Sequence, residues 1–128
     1  MHTTELTTAN FESTLKNDGI VFIDWWAEWC GPCKAFGPVY DRLAAKHADI
    51  TWGKIDTEAQ PELAGAFGIR AIPTLMVFRD GILVFEQPGM MNAMTLDKLV
   101  DAVRALDMNE VKQRVEEAKK DRAHGHAH

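Results

Sequence analysis

The stretch Ile20-Val21-Phe22-Ile23-Asp24-Trp25-Trp26-Ala27-Glu28-Trp29-Cys30-Gly31-Pro32-Cys33-Lys34 decides how this chain folds. Its first eight residues are β-branched or aromatic at all but two positions and do not alternate with polar ones. That pattern belongs to a strand covered on both faces, so it predicts the centre of a sheet. A single carboxylate, Asp24, interrupts the run. Directly after the strand, two cysteines enclose Gly31 and Pro32, and then Phe36, Val39, Tyr40 and Leu43 recur at helical spacing over residues 34–47, with Pro38 set to kink the early turns. The cysteine pair therefore sits where a buried strand hands over to a helix.

Working outward, Phe11 and Leu15 lie four apart and predict a short helix over residues 8–17, capped by Thr8 and ended by Gly19. A weak leading strand is expected near Glu5. Downstream, residues 50–56 read as a strand and residues 59–67 as a helix with Pro61 in its first turn and Gly68 as terminator. Residues 72–78 form the next strand, with Pro73 at its start, where no ladder donor is required. Arg79-Asp80-Gly81 is a tight-turn signal that pairs residues 75–78 with 82–85 as an antiparallel hairpin. Leu96, Leu99, Val100, Val103 and Leu106 make a closing amphipathic helix opened by Thr95. This order predicts an α/β protein with a mixed sheet and helices on both faces.

The 128 residues suffice for one domain with a conventional core, and 46% hydrophobic and 26% charged residues are ordinary for a globular chain. No apolar run approaches the ~20 residues of a bilayer span, so no membrane association is expected. A formal net charge of −5 argues against nucleic acid, which is bound through clustered Lys and Arg. The opening residues carry neither a basic leader nor an apolar stretch, so no secretory signal is read there and a cytoplasmic location is expected. Beyond Asp107 the composition changes. Residues 109–122 are densely charged, with only Val111, Val115 and Ala118 on one stripe, a marginal helix that needs docking, and three alternating histidines follow at 124, 126 and 128. The expected division is a domain over residues 1–106 and a charged extension, helical or disordered, over residues 107–128. No site is assigned to the histidine tail.

The chain holds two cysteines, Cys30 and Cys33. A bond closing so short a loop constrains the unfolded chain little, so in a reducing compartment the pair reads as chemistry rather than as a staple. A zinc half-site is the competing reading, but four ligands are usual and no second cysteine pair exists. A redox dithiol needs one exposed thiolate and a second sulfur that can displace it. Cys30, at the helix N-terminus, faces free N–H groups and the positive end of the helix dipole, whereas Cys33 lies inside the first turn and is expected to be more buried. Cys30 is thus the expected nucleophile. The dipole contributes about 0.3–1 kcal/mol at an exposed site, less than one pKa unit, so direct hydrogen bonds to the sulfur must add to it. Pro32 fixes its own φ and removes a donor, which favours a stiff turn.

Trp29-Cys30-Gly31-Pro32-Cys33-Lys34 resembles the active-site signature of the thioredoxin family, the reference case for acidic CxxC thiols. Ile23-Asp24-Trp25-Trp26, Lys54-Ile55-Asp56, Pro61-Glu62-Leu63-Ala64, Phe67-Gly68-Ile69-Arg70, Ile72-Pro73-Thr74 and Gly89 follow in family order, so the similarity covers residues 5–106. The resemblance implies a thioredoxin fold and a protein disulfide reductase. In that scheme Cys30 attacks a substrate disulfide and Cys33 resolves the mixed disulfide. Asp24 serves as base for Cys33, with Lys54 as its partner on the neighbouring strand. Independently of the family, a carboxylate within an apolar strand must be paired or hold a raised pKa. The resemblance also implies a cis bond before Pro73, although a trans strand starter is the commoner state of an X–Pro bond. Ile72 then offers backbone groups to an extended substrate, and Trp29, Gly89 and Met90 complete an apolar rim. Met90-Met91 departs from the smaller residues common after that glycine, and loop packing is the alternative for both. Trp25, Trp26 and Trp52 read as packing. No bound cofactor is implied beyond the redox-active Cys30–Cys33 disulfide. The implied partners are disulfide-containing proteins and an NADPH-dependent flavoprotein reductase, with the chain acting as a monomer. Two other readings stand beside this one: a thiol oxidase or isomerase on the same fold, and a redox-independent interaction module.

Overall fold

The pleat of Ile20–Trp26 (β2) places Phe22, Asp24 and Trp26 on one face of the sheet and Val21, Ile23 and Trp25 on the other. The computed structural model describes residues 2–16 and 19–125. Around β2 the chain adds β1 (Thr3–Glu5), α1 (Phe11–Lys16), α2 (Gly31–Lys46), β3 (Thr51–Asp56), α3 (Pro61–Ala66), β4 (Thr74–Arg79), β5 (Ile82–Pro88), α4 (Ala93–Arg104) and α5 (Met108–Gly125). The strands form one sheet in the order β1-β3-β2-β4-β5. β3 runs parallel to β1 and β2, while β4 is antiparallel to β2 and β5. The sheet is mixed, and its central strand is the apolar run.

Each face buries its own cluster. Phe22, Trp52, Leu75 and Val77 meet Phe36, Tyr40 and Leu43 of α2 and Leu96, Val100 and Val103 of α4. On the opposite face Val21, Ile23, Trp25, Ile55, Met76 and Phe78 pack with Leu6 and Phe11, and Phe67 closes against them. Asp24, by its place in the alternation, lies on the face that α2 covers.

The hairpin between β4 and β5 turns through Asp80 and Gly81, whose φ angles of 52° and 79° are those of a type I′ turn. Asp80 and Gly19 clasp each other: the Gly19 amide donates to Oδ1 of Asp80, and the Asp80 amide donates to the Gly19 carbonyl, both at 2.9 Å.

Several local expectations are corrected. The first helix begins at Phe11 rather than Thr8, because Asn10 Oδ1 takes the Thr7 amide and holds the preceding residues in a turn; its expected end at Asn17 lies outside the described residues. α2 starts at Gly31 rather than Lys34 and ends at Lys46, with Pro38 inside it. α4 is capped by Asn92, whose Oδ1 accepts the Thr95 amide at 2.8 Å, so Thr95 is the capped residue and not the cap. The C-terminal end of α4 is held by Arg79, which donates to the carbonyls of Val103 and Leu106 at 2.7 and 2.9 Å. α5 extends over more residues than its weak apolar stripe predicts. Asp107 Oδ1 accepts the amides of Asn109 and Glu110, and Val111, Val115 and Ala118 face Ile82, Leu83, Val84 and Leu106 across a groove of about 310 Å³.

Candidate active site

Cys30 is the N-cap of α2, with extended φ and ψ of −86° and 114°. Its sulfur faces the open amides of the first turn and accepts the Cys33 N–H at 3.2 Å. Gly31 and Pro32 make that turn, where Pro32 forfeits no intrahelical bond. Cys30 and Cys33 are joined as a disulfide with their Cα atoms 5.2 Å apart. The expected contrast in burial is corrected: both cysteines are 4% exposed. With its sulfur bonded to Cys33, Cys30 is folded into an apolar nest with Ala27, against Trp26 and Ile72. What separates the two sulfurs is the cap position.

The sulfur of Cys30 lies 3.7 Å from the Ile72 carbonyl oxygen. As half of a disulfide it has no proton to donate there; the reduced thiol does. The Ile72–Pro73 bond is cis. The Thr74 hydroxyl donates to the Ala71 carbonyl, and the Gly89 amide donates to the Pro73 carbonyl at 2.8 Å. Gly89 has φ 92°, a conformation that favours glycine. Ile72 thus lies against the dithiol turn, and Gly89 is held to Pro73, the next residue. Trp29 is 69% exposed, and Met90 is 47% exposed, whereas Met91 is buried. The Trp29 indole N–H donates to Oε1 of Glu58 at 2.8 Å, a partner that the sequence reading missed. No spacing signal links positions 29 and 58; the contact exists because the loop after β3 approaches the start of α2.

Asp24 is fully buried, and neither of its carboxylate oxygens has a hydrogen-bond partner among the described residues. Burial pushes its pKa up to about 7; Lys54 opposes this rise and Asp41 adds to it. The expected Asp24–Lys54 pair is corrected. The two residues stand in register on adjacent parallel strands. The Lys54 ammonium, however, lies 5.1 Å from the centroid of the Trp26 ring, and no ion pair to Asp24 is present among the described residues. An ammonium keeps more hydration over an aromatic face at the surface than beside a buried carboxylate. Lys54 therefore acts on Asp24 at a distance. Among the described residues no three His, Cys, Asp or Glu side chains converge as a metal-ligand set, and no helix is long and apolar enough to cross a membrane.

A mixed sheet whose central strand leads into a helix-capping CxxC disulfide, opposite a cis-proline loop, defines a thiol–disulfide oxidoreductase. Comparison with known proteins is consistent throughout. The thioredoxin family model matches residues 2–105. A putative thioredoxin 2 of Streptomyces coelicolor is 53% identical over 90% of this chain and 86% of its own. A thioredoxin of Alicyclobacillus acidocaldarius is 44% identical over 62% of this chain and 76% of its own, and thioredoxin C-3 of Corynebacterium nephridii is 39% identical over 76% and 68%. A solved chain from work on the thiol resolving mechanism in yeast mitochondrial 1-Cys peroxiredoxin via glutathione/thioredoxin systems superimposes with a TM-score of 0.72 at 30% identity, covering 78% of this chain and 94% of that one. The chain belongs to the thioredoxin family, and its activity is thiol–disulfide reduction through the CxxC pair.

Proposed function

We propose that this protein reduces disulfides in other proteins with Cys30 as the attacking sulfur, Cys33 as the resolving sulfur and Asp24 as the base. The observation that carries the reading is the placement of Cys30 at the cap of α2, its sulfur facing an amide at 3.2 Å. That position favours a thiolate at 30 over one at 33, because the helix dipole and its open N–H groups act within the first turn. The Cys30 thiolate attacks one sulfur of the substrate disulfide; a Cys30–substrate bond forms, and the other substrate sulfur leaves as thiolate and takes up a proton. Asp24 then accepts the proton of Cys33. The Cys33 thiolate attacks Cys30, the Cys30–Cys33 bond closes, and the second substrate sulfur leaves as thiolate and takes up a proton in its turn. A carboxyl whose pKa is about 7 is suited to exchange protons with a thiol near neutrality. Lys54 restrains that rise without touching the carboxylate.

Ile72, Pro73 and Gly89 offer backbone to an extended substrate segment, and Gly31, Pro32, Trp29 and Met90 form its apolar surround. The oxidised pair is returned to the dithiol by an NADPH-dependent flavoprotein reductase. The protein works as a monomer in the cytoplasm and needs no bound cofactor. Residues 1–106 make the catalytic unit, and residues 107–128 are an addition to it.

The deciding experiment is capture with Cys33→Ser, in which the second attack is blocked. Mixed disulfides through Cys30 should accumulate, and Cys30→Ser should form none. Full insulin-disulfide reduction by Cys30→Ser would sink the assignment.

A further inference from the structure

Tyr40 stands seven residues after Cys33, two turns along α2, and so on the same face of the helix. It is fully buried, its ring set between Phe36 at 5.8 Å and Trp52 at 5.2 Å. Its hydroxyl donates to the Gly53 carbonyl at 2.7 Å. That carbonyl belongs to the peptide joining Gly53 to Lys54, and Lys54 is the residue in register with Asp24. The phenol oxygen is thus pinned one strand across from the carboxyl, on the sheet face they share.

A tyrosine hydroxyl has one proton. Here it is committed to Gly53, so the oxygen has only lone pairs left for other neighbours. It can accept from a protonated carboxyl and cannot donate to a carboxylate. A hydroxyl committed to Gly53 supplies no donor to the carboxylate, and neither oxygen of Asp24 has a hydrogen-bond partner among the described residues. Burial first, then the Asp24 charge and then Asp41 hold the Tyr40 proton more tightly than usual, against a smaller opposing effect of the Asp24 backbone. The charged groups that act on Asp24 are Lys54 from β3 and Asp41 from α2, and the Asp24 charge acts in turn on Tyr40 of α2. The register neighbour of Asp24 on β4 is Leu75, and the buried residues of α4 are Leu96, Val100 and Val103, all without charge.

We propose that Tyr40 is a positioning residue for Asp24: by giving its only proton to the Gly53 carbonyl it ties α2 to β3 and keeps the carboxyl buried without a donor, from where it exchanges a proton with Cys33. This rests on the reading of Asp24 as the base for Cys33. Tyr40→Phe keeps the ring and removes only the oxygen. The bond between α2 and β3 is lost, water gains access, and the lone pairs that disfavour a carboxylate are gone. All three changes lower the proton affinity of Asp24.

The test is a carboxyl-carbon NMR titration of Asp24 in the full chain, together with the pH profile of the resolving step in rapid-mixing experiments on a mixed disulfide. In Tyr40→Phe the Asp24 midpoint should fall by about one pH unit. The resolving profile should move with it, while in an Asp24→Asn background the same substitution should leave the profile in place. An unmoved Asp24 midpoint, or an equal shift of the profile in the Asp24→Asn background, overturns the proposal for Tyr40. An Asp24→Asn protein with an unaltered resolving rate and profile overturns the Asp24 reading itself and the proposal with it. Tyr40→Leu, which also lacks the oxygen, is read in the same way where packing impairs the phenylalanine variant.

Discussion

Gly53 and Leu6 are in such close apposition that a Cβ on the glycine would lie 2.5 Å from Cδ1 of Leu6 and 3.0 Å from its Cγ. β1 and β3 are hydrogen-bonded neighbours, and Leu6, which follows β1, fills the space that a side chain at 53 would need. Gly53→Ala is accordingly an overpacking substitution, expected to destabilise by about 1–3 kcal/mol in urea denaturation. Combining it with Leu6→Ala should recover part of the alanine clash while adding the loss of a buried leucine. A non-additive double-mutant cycle is the readout, and strict additivity would contradict the contact.

Asp24 makes stability depend on pH in a defined direction. Its pKa is about 7 in the folded protein against an ordinary 3.8, so between these limits the unfolded chain releases this proton and the native state retains it. The stabilisation is fully present below the unfolded pKa and is lost as pH rises through the folded one. The full loss is on the order of 4 kcal/mol by pH 8, from about 1.4 kcal/mol for each unit. Asp24→Asn should flatten this slope, so that wild type and variant differ more at pH 8 than at pH 4 in paired denaturation curves. Parallel slopes would show that Asp24 ionises normally.

Gly89 meets nothing within 4 Å of where a Cβ would sit, yet its φ is 92°. Gly89→Ala should therefore act through backbone conformation, at about 1 kcal/mol or more. Because the Gly89 amide holds the Pro73 carbonyl, the displaced loop should also raise KM for a protein disulfide more than it lowers kcat. Steady-state kinetics of insulin reduction separate the two effects, and an unchanged KM would argue that the loop does not contact substrate.

Removing residues 107–128 should leave the reductase intact. The carbonyls that Arg79 caps belong to Val103, Arg104 and Leu106, all retained, so α4 keeps its C-terminal partner. What is lost is the cover of Val111 and Val115 over Ile82, Leu83 and Val84. A fall of about 1–2 kcal/mol in stability with unaltered kcat/KM is expected, checked by calorimetry and insulin reduction. Loss of activity would mean that the extension belongs to the catalytic unit.

Much of this protein was determined by short-range pattern alone. The run from Ile20 to Trp26 declared a central strand because only a doubly covered strand is apolar at both odd and even positions. Asp80-Gly81 declared the hairpin because type I′ turns need positive φ at both central residues. Cys30-Gly31-Pro32-Cys33 declared the chemistry because its spacing and its place at a helix start are local facts. Contacts between distant segments were settled only by tertiary packing. Lys54 shares a register with Asp24 but rests on Trp26, Asn92 displaces Thr95 as the cap, and Cys30 is as buried as Cys33. Glu58 reaches Trp29, and Tyr40 reaches Gly53, by the same route. The physical reason is one of range. Periodicity and turn chemistry depend on neighbours a few bonds away, whereas a partner for a buried polar group is chosen by whichever segment the folded core brings within about 3 Å of it.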